Sequence, residues 1–273
     1  MKIFNDIELI DLAIYTNKTL IVTDFHIGYE EALNKQGLMV PRFQFQEIMI
    51  RLDSIFGKLK GNEIDRIIVN GDIKHEFGTI SEQEWRHTLK LLDYFGKRCK
   101  EVILIKGNHD TILGPIARKR NVKVVEHYLI SPLGKNPLKN EKTIKQFAIN
   151  KDSFKKLKII NKKNQNNNIL VIHGDKIPNK DLLKKSKIII VGHEHPAVSI
   201  KEGPRAELFK AYLIGKWKGK NLIVQPSFNL VTEGTDVTKE KLLSPFLQQN
   251  LGNFDVVIVA DKMYRFGKMK ELS

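Results

Sequence analysis

Five short segments of this 273-residue chain gather most of its metal-binding and proton-moving side chains. They are Asp24-Phe25-His26, Gly71-Asp72-Ile73-Lys74-His75, Gly107-Asn108-His109-Asp110, His173-Gly174-Asp175 and Gly192-His193-Glu194-His195. Six of the eight histidines lie in them. Carboxylate, imidazole and carboxamide are hard-to-borderline oxygen and nitrogen donors, and no thiolate accompanies them. Such a set suits Mn²⁺, Fe, Co²⁺, Ni²⁺ or Zn²⁺. A single D-x-H, or a lone histidine, reads first as a hydrogen-bonded structural group. Five such segments in one chain ask for a common site, provided the fold brings them together.

The placement of the segments predicts that it does. Each follows an apolar, β-branched run of the length of a buried strand: residues 19–23, 66–69, 102–105, 169–172 and 188–191. Carboxyl ends of strands in an α/β sheet share one edge, and ligands bind there. Residues i and i+2 of a strand point the same way. Extended backbone would therefore pair Asp24 with His26, and His193 with His195. Gly71, Gly107 and Gly192 read as turn residues at the strand ends.

Helices fill the gaps. Phe45, Ile48, Met49, Leu52, Ile55, Phe56 and Leu59 recur at helical spacing, on a helix that Pro41 is expected to open. Ser81 and Glu84 form a capping box ahead of Trp85, Leu89, Leu92 and Phe95. A third helix is expected over 112–120, with Asp110 read as its cap in preference to a partner of His109. After Gly192 the pattern turns to strands, at 196–200, 206–214, 221–225 and 255–260, with hardly a helix among them. An α/β first half and a β-rich second half predict two sheets packed face to face, with helices outside.

Composition bounds the function. Hydrophobic residues make up 41% and charged ones 28%, the balance of a globular chain. The lone Cys99 excludes a disulfide scaffold and a cysteine-based zinc finger, and is otherwise read as incidental. No apolar run approaches the roughly 18 residues of a membrane span, and the start of the chain does not read as a signal peptide. A soluble, cytoplasmic protein is expected, with residues 1–273 as a single domain. Its net charge of +15 favours polyanionic partners. Residues 135–168 hold ten lysines against Glu141 and Asp152, a net +8, and read as a lysine-rich insertion that loops out. Its only aromatic residues are Phe147 and Phe154, few for a base-stacking surface.

The pattern D-x-H, G-D-x-x, G-N-H-[DE], H, G-H-x-H resembles that of the calcineurin-like metallophosphoesterases. The stretches DFHIGYEEAL, GDIKHEFG and QPSFNLVTEGTDV narrow the resemblance. They point to archaeal phosphoesterases related to the SbcD-type nucleases, and to bacterial DNA-ligase-associated phosphoesterases. Nearly the whole chain is covered, apart from 135–168 and the final residues.

The resemblance implies an αββα four-layer sandwich with two packed mixed sheets. It implies two divalent metal ions, Mn²⁺ first and Ni, Co, Fe or Zn as alternatives. Asp24, His26 and His195 would hold one ion; Asn108, His173 and His193 the other; Asp72 would bridge them. His109 would face the substrate, as acid to the leaving group or as a clamp on the phosphoryl oxygens. The implied reaction is phosphodiester hydrolysis by a hydroxide held between the ions, with DNA, RNA or a nucleotide as substrate. Hydrolysis of a phosphomonoester or small nucleotide is the alternative. A non-catalytic nucleic-acid-binding protein should lack a ligand, and none is missing. No membrane and no particular protein partner is implied.

His75 stands where protein phosphatases of the superfamily carry Asp, and in this the chain is similar to many SbcD-related nucleases. It reads equally as a substrate contact or as a hydrogen-bonding group behind the ligands. Glu194, between two ligands, is expected to point away from them. Asp175 reads as a turn residue or a support for His173. Arg42 and Lys74 read first as solvated basic residues, and Trp85 and Trp217 as packing.

Overall fold

A computed structural model of the chain describes residues 1–4, 6–132 and 168–272. The expected looping-out of the lysine-rich stretch falls, Asn168 apart, outside the described residues.

All five apolar runs form strands, divided between two sheets. The first sheet has seven strands in sequence order: β1 (Lys2–Phe4), β2 (Ile7–Ile10), β3 (Ala13–Thr16), β4 (Thr19–Val22), β5 (Arg66–Asn70), β6 (Glu101–Ile105) and β7 (Lys123–Val125). β1 to β4 form an antiparallel meander, and β4 to β7 run parallel. The parallel crossovers carry the helices: α1 (Tyr29–Lys35) and α2 (Gln44–Lys58), α3 (Glu82–Gly96), and α4 (Gly114–Arg120).

The second sheet contains β8 (Tyr128–Ile130), β9 (Ile169–Val171), β10 (Ile188–Val191), β11 (Pro196–Glu202), β12 (Arg205–Trp217), β13 (Lys220–Val224), β14 (Thr235–Asp236), β15 (Asp255–Val259) and β16 (Met263–Lys268). Its order is β14-β11-β12-β13-β10-β9-β8, with β15 and β16 branching from β12. β10 is parallel to both β9 and β13, while most other pairings are antiparallel. Both sheets are thus mixed, as expected.

Side-chain alternation divides the second sheet between two cores. Ile190, Tyr212, Ile223 and Val257 face the first sheet and join Leu9, Ile14, Ile21, Ile68 and Leu104 in one cluster. Ile189, Leu213, Leu222 and Val256 face outward, into a cluster with Leu182, Phe246 and Phe254. The first cluster also takes Ile48, Leu52 and Ile55 of α2 and Leu89, Leu92 and Phe95 of α3. Each such side chain contributes roughly 1.5–3 kcal/mol on burial. The layer outside the second sheet is thin, a short helix α5 (Lys180–Lys184) and the irregular 242–254 segment.

Two polar side chains fix how the sheets sit on each other. Gln225, just after β13, donates across the interface to the carbonyls of Leu12 (2.8 Å) and Ile21 (3.0 Å). The Tyr212 hydroxyl lies 2.9 Å from the Asp11 carbonyl. Both residues are fully buried, so slipping the sheets would strand polar atoms in an apolar core.

Two helix boundaries differ from expectation. α2 starts at Gln44 with Phe43 in the cap position, so Pro41 lies upstream and does not open it. The backbone N–H of Gln44 is satisfied by the Glu30 carboxylate at 2.9 Å, a tertiary contact that sets the start. α4 is capped by Leu113 without a side-chain hydrogen bond. Asp110 does not cap it; its Oδ2 accepts from Gly107 N at 3.1 Å. The Ser81–Glu84 capping box forms as expected.

Candidate active site

The carboxyl ends of β4, β5, β6, β9 and β10 meet at one place, laced together by backbone hydrogen bonds. Asp24 N donates to Gly71 O (3.2 Å), His26 N to Asp72 O (2.9 Å) and Ile27 N to Ile73 O (3.0 Å). From the second sheet, His193 N donates to Asp24 Oδ2 at 3.0 Å, and Gly192 N to His173 O at 2.8 Å. His109 N donates to Asp72 Oδ1 at 2.8 Å. The first two strand-end segments run side by side, and the others are tied to their carboxylates.

The extended geometry expected for Asp24–His26 and His193–His195 does not persist. Asp24 (φ 53°), His26 (φ 45°), Asp72 (φ 44°), His193 (φ 66°) and His195 (φ 51°) all adopt left-handed backbone. The chain turns at each of them, so the side chains fan toward a point instead of standing in line. A residue other than glycine held there costs of order 1–3 kcal/mol, and such strain clusters at functional sites. The hydrogen bonds above offset it.

Gly107 and Gly192 are close-approach residues, not turn formers. A Cβ on Gly107 would stand 2.1 Å from Asp72 Oδ1, and one on Gly192 would stand 2.1 Å from Thr23 Oγ1 and 2.4 Å from Asp24 Oδ2. The carboxylates occupy the volume that a side chain would fill.

Two groups of donors result. Asp24, His26 and His195 bring one ligand atom each within 4.8 Å of one another, and so do Asp72, His173 and His193. His26 Nε2 lies 3.2 Å from His195 Nε2 and 3.7 Å from Asp72 Oδ2. His173 Nε2 lies 2.9 Å from Asn108 Oδ1, 3.2 Å from His193 Nδ1 and 3.3 Å from Asp72 Oδ2. Asp72 Oδ2 therefore stands between the groups. The seven residues expected as ligands are all brought together here.

The donor chemistry fits divalent cations. Asp24, His26, Asp72 and His173 are buried, yet Asp24 Oδ1 has no hydrogen-bond partner. An orphan carboxylate oxygen in such a place calls for positive charge. Burial works against charge on His173, but the Asp72 and Asp24 carboxylates lift it to about 9. Burial and the neighbouring imidazole of His195 push His26 well below the usual range, so it stays neutral and keeps a lone pair. Burial opposes ionisation of Asp24 and Asp72, but the histidines around them hold both below the ordinary carboxylate value. Ionised carboxylates and neutral imidazoles are the forms that bind metal, so His173 would give up its proton as an ion enters.

Beside these groups lie His75 and His109. His109 Nδ1 is bonded to the His75 carbonyl. His75 Nδ1 lies 3.3 Å from His26 Nδ1, so its ring supports a candidate ligand. Burial and the neighbouring His109 lower His75 to about 4. Tyr29 packs on the His75 ring (centroids 4.4 Å apart) and Phe77 on the His109 ring (3.7 Å). His26, His75 and His109 also form a third set of converging nitrogens.

Several supporting residues carried no signal in the sequence. Thr23 Oγ1 sits 2.8 Å from Asp24 Oδ2 and 2.7 Å from the Asn70 carbonyl. Gln44 Nε2 lies within 3.2 Å of the carbonyls of Phe25 and His26 and of Asn229 Oδ1. Lys210, buried, donates to Ser227, Thr232 and Glu233; that loop carries Gly234, which abuts the His195 carbonyl. Glu84 exceeds its capping role, since Oε1 also accepts from the backbone of His75 (3.0 Å) and Glu76 (2.7 Å).

Lys74 is not solvated: it is fully buried, with its ammonium on the carbonyls of Glu76 and His109. Arg42 is exposed. Glu194 points away from the donors, accepting from the backbone of Leu243 and Ser244. Asp110 is buried; burial and the nearby Asp72 raise it to about 7. Trp217 is buried against Phe246, and Trp85 packs on the first core cluster.

The model of the calcineurin-like phosphoesterase family matches residues 18–260, and the chain belongs to that family. Among solved structures, the chain is similar to a Pseudomonas putida nuclease, MPE. The identity is 18% over 92% of this chain and 90% of that one, with a TM-score of 0.52. An Escherichia coli phosphoesterase, Yfce, matches at 10% identity over 93% and 94% of the chains, TM-score 0.36. Vps29 from Cryptosporidium parvum matches at 14% over 92% and 97%, TM-score 0.36. No curated protein matches the chain. The likeness to the first structure is one of fold, two mixed sheets in an α/β arrangement. No helix among the described residues is long and apolar enough to cross a membrane.

Proposed function

We propose that this phosphoesterase is a dinuclear-metal phosphodiesterase acting on nucleic acid or nucleotides. The observation that carries the reading is the pair of donor groups meeting at Asp72, with His109 beside them and outside both. In this reading Asp24, His26 and His195 hold one divalent ion, Asn108, His173 and His193 the other, and Asp72 serves both. Two such ions, when bound, supply Lewis acidity at the phosphoryl oxygens and an activated water. Mn²⁺ is the leading candidate because the family resemblance implies it; the nitrogen–oxygen set suits Fe, Co²⁺, Ni²⁺ or Zn²⁺ as well.

The chain's own residues do the rest. A carbonyl oxygen only accepts, so the bond to His75 O fixes the proton of His109 on Nδ1. Nε2 is left to carry the second proton and to pass it to the departing oxygen. The carboxylates, pinned by backbone N–H groups, hold the donors in place before substrate arrives. Among the described residues, the groups beside the donors are imidazoles and aromatic rings, with Lys74 turned onto backbone carbonyls. A singly charged diester matches that lining better than a dianionic monoester, which favours a guanidinium or ammonium clamp.

The test is a metal-by-substrate screen. Metal-stripped protein receives Mn²⁺, Ni²⁺, Co²⁺, Mg²⁺ or Zn²⁺. It is then offered bis-p-nitrophenyl phosphate, p-nitrophenyl phosphate, cyclic nucleotides, and single- and double-stranded DNA. Metal-dependent diester hydrolysis that exceeds monoester hydrolysis is expected, and Asp72→Asn should lose both metal and rate. A monoester preference overturns the diesterase reading. Full activity and two bound ions in Asp72→Asn overturn the site.

A further inference from the structure

An exposed phenylalanine is stacked on the proposed proton donor. Phe77 is 57% exposed, yet its ring lies 3.7 Å, centroid to centroid, from that of His109, tilted by 35°. Large apolar side chains at that exposure gain little from burial, so packing on His109 alone does not account for one here.

The backbone around Phe77 is unusually well held. On one side, the N–H groups of His75 and Glu76 both donate to Glu84 Oε1. Lys74 holds the Glu76 carbonyl from below, and Lys35 pairs with the Glu76 side chain at 3.2 Å. On the other side, Gly78 N donates to Thr111 Oγ1 at 3.2 Å. Thr111 lies two residues from His109 on the third strand-end loop. Phe77 is therefore fixed relative to His109 from both flanks. One face of its ring meets the imidazole, and much of the rest is open to solvent.

We propose that Phe77 is the platform on which the nucleobase on the leaving-group side of the scissile phosphodiester stacks. This deepens the phosphodiesterase reading and rests on it. His109 faces the oxygen that departs, so a ring stacked on His109 lies beside the nucleoside that departs with it. A flat, apolar, preorganised surface recognises any base through its π face, without hydrogen-bond readout. Phe77 is thus a specificity residue for nucleotide over simple alkyl diesters, and it is tolerant of base identity.

The experiment separates this from the hydrolytic reading by measuring binding. The probe is a phosphinate-linked dithymidine, in which CH₂ replaces both bridging oxygens, so the single negative charge is kept and no bond can be cleaved. Two further probes lack the base on one side or the other. Dissociation constants are measured with Mn²⁺-loaded full-length protein, for the native chain and for Phe77→Ala, Phe77→Leu and Phe77→Tyr. Removing one of the two bases should weaken binding to the native chain about 5- to 100-fold, the range of base–aromatic stacking. In Phe77→Ala and Phe77→Leu that ratio should collapse toward one; in Phe77→Tyr it should be kept. Phe77→Leu retains apolar bulk, so it reports on stacking even if Phe77→Ala disturbs the loop. An equal affinity for all three probes in the native chain, or a ratio unchanged in both Phe77→Ala and Phe77→Leu, overturns the proposal. Failure to cleave any diester of the metal-by-substrate screen would instead overturn the diesterase reading, and the binding ratio would stand apart from it.

Discussion

His109 donates Nδ1–H to the backbone carbonyl of His75, so a main-chain atom, and not the His75 side chain, sets the tautomer of the proposed acid. Substituting the His75 side chain leaves that carbonyl in place. Substituting His109 removes the proton carrier itself, although its backbone N–H to Asp72 Oδ1 remains. His109→Ala should therefore keep its bound metal while kcat falls about 10²–10⁴-fold, the usual worth of a positioned general acid. The loss should shrink for p-nitrophenyl esters, whose leaving group needs little protonation. Metal content and kcat on good and poor leaving groups check this. Loss of metal would make His109 a ligand instead.

Gly107 tests the site without replacing a donor. A Cβ there would overlap Asp72 Oδ1 at 2.1 Å and Asp72 N at 2.5 Å. Gly107→Ala should displace the Asp72 carboxylate, lower bound metal to one ion or fewer per chain and cut activity at least 10²-fold, with the far-ultraviolet dichroism unchanged. Gly114→Ala, where a Cβ meets nothing within 4 Å, is the control and should match the native chain in metal content. Two bound ions in Gly107→Ala would show that Asp72 can move without harm.

Asp236 gives a pH signature away from the donors. Burial pushes its carboxyl up, but hydrogen bonds from Ser199, Thr238 and Lys239 outweigh that and hold it at about 2. A carboxylate depressed in the folded chain adds stability above its unfolded value, near 4, and loses it as pH falls toward 2. The residue is 5% exposed, and at 1.36 kcal/mol per pH unit the contribution is at most about 2.5 kcal/mol. Asp236→Asn should lower stability by about 1–2 kcal/mol at pH 7, with the gap to the native chain closing between pH 4 and pH 2. Urea unfolding across that range measures it; a pH-independent gap would mean that the charge is not the cause.

What could be read from the sequence was what local pattern encodes. The five parallel-sheet strands are continuous apolar runs because both faces are covered, and such runs stand out. The donors were visible because each follows such a run. The backbone at Asp24, His26, Asp72, His193 and His195 was not legible, since left-handed geometry at a non-glycine residue is imposed by tertiary hydrogen bonds. Gly107 and Gly192 looked like turn residues for the same reason, as nothing local says that a carboxylate will occupy the Cβ position. Lys74 looked solvated because lysine almost always is, and only Glu76 and His109 folding over it provide its carbonyl partners. The start of α2 was misjudged because the proline signal is local, whereas the Glu30 carboxylate that satisfies Gln44 comes from α1. Edge strands β1, β7, β14 and β16 are short or half-exposed and left no periodic signal above their neighbours.

The lysine-rich stretch gives the last prediction, and it rests on charge and chain connectivity. Residues 135–168 carry +8 of the chain's +15 and contribute nothing to the five donor segments. They connect β8 to β9, and Ile130 is paired directly with Ile169 in the antiparallel ladder. A short glycine linker can therefore replace residues 136–167 without moving either strand. Each phosphate that a lysine neutralises on duplex DNA releases counterion, and log affinity falls with log salt at a slope of about −0.9 per contact. Deletion should flatten that slope if the lysines meet DNA. Turnover of bis-p-nitrophenyl phosphate should stay within about twofold of the native rate, because a small diester spans no extended basic surface and its salt dependence is set at the donors alone. Salt titrations of DNA binding, alongside the small-substrate rate in both forms, give the two readouts. An unchanged slope would assign the lysines to solvation, and the nucleic-acid reading would then stand on the active-site lining.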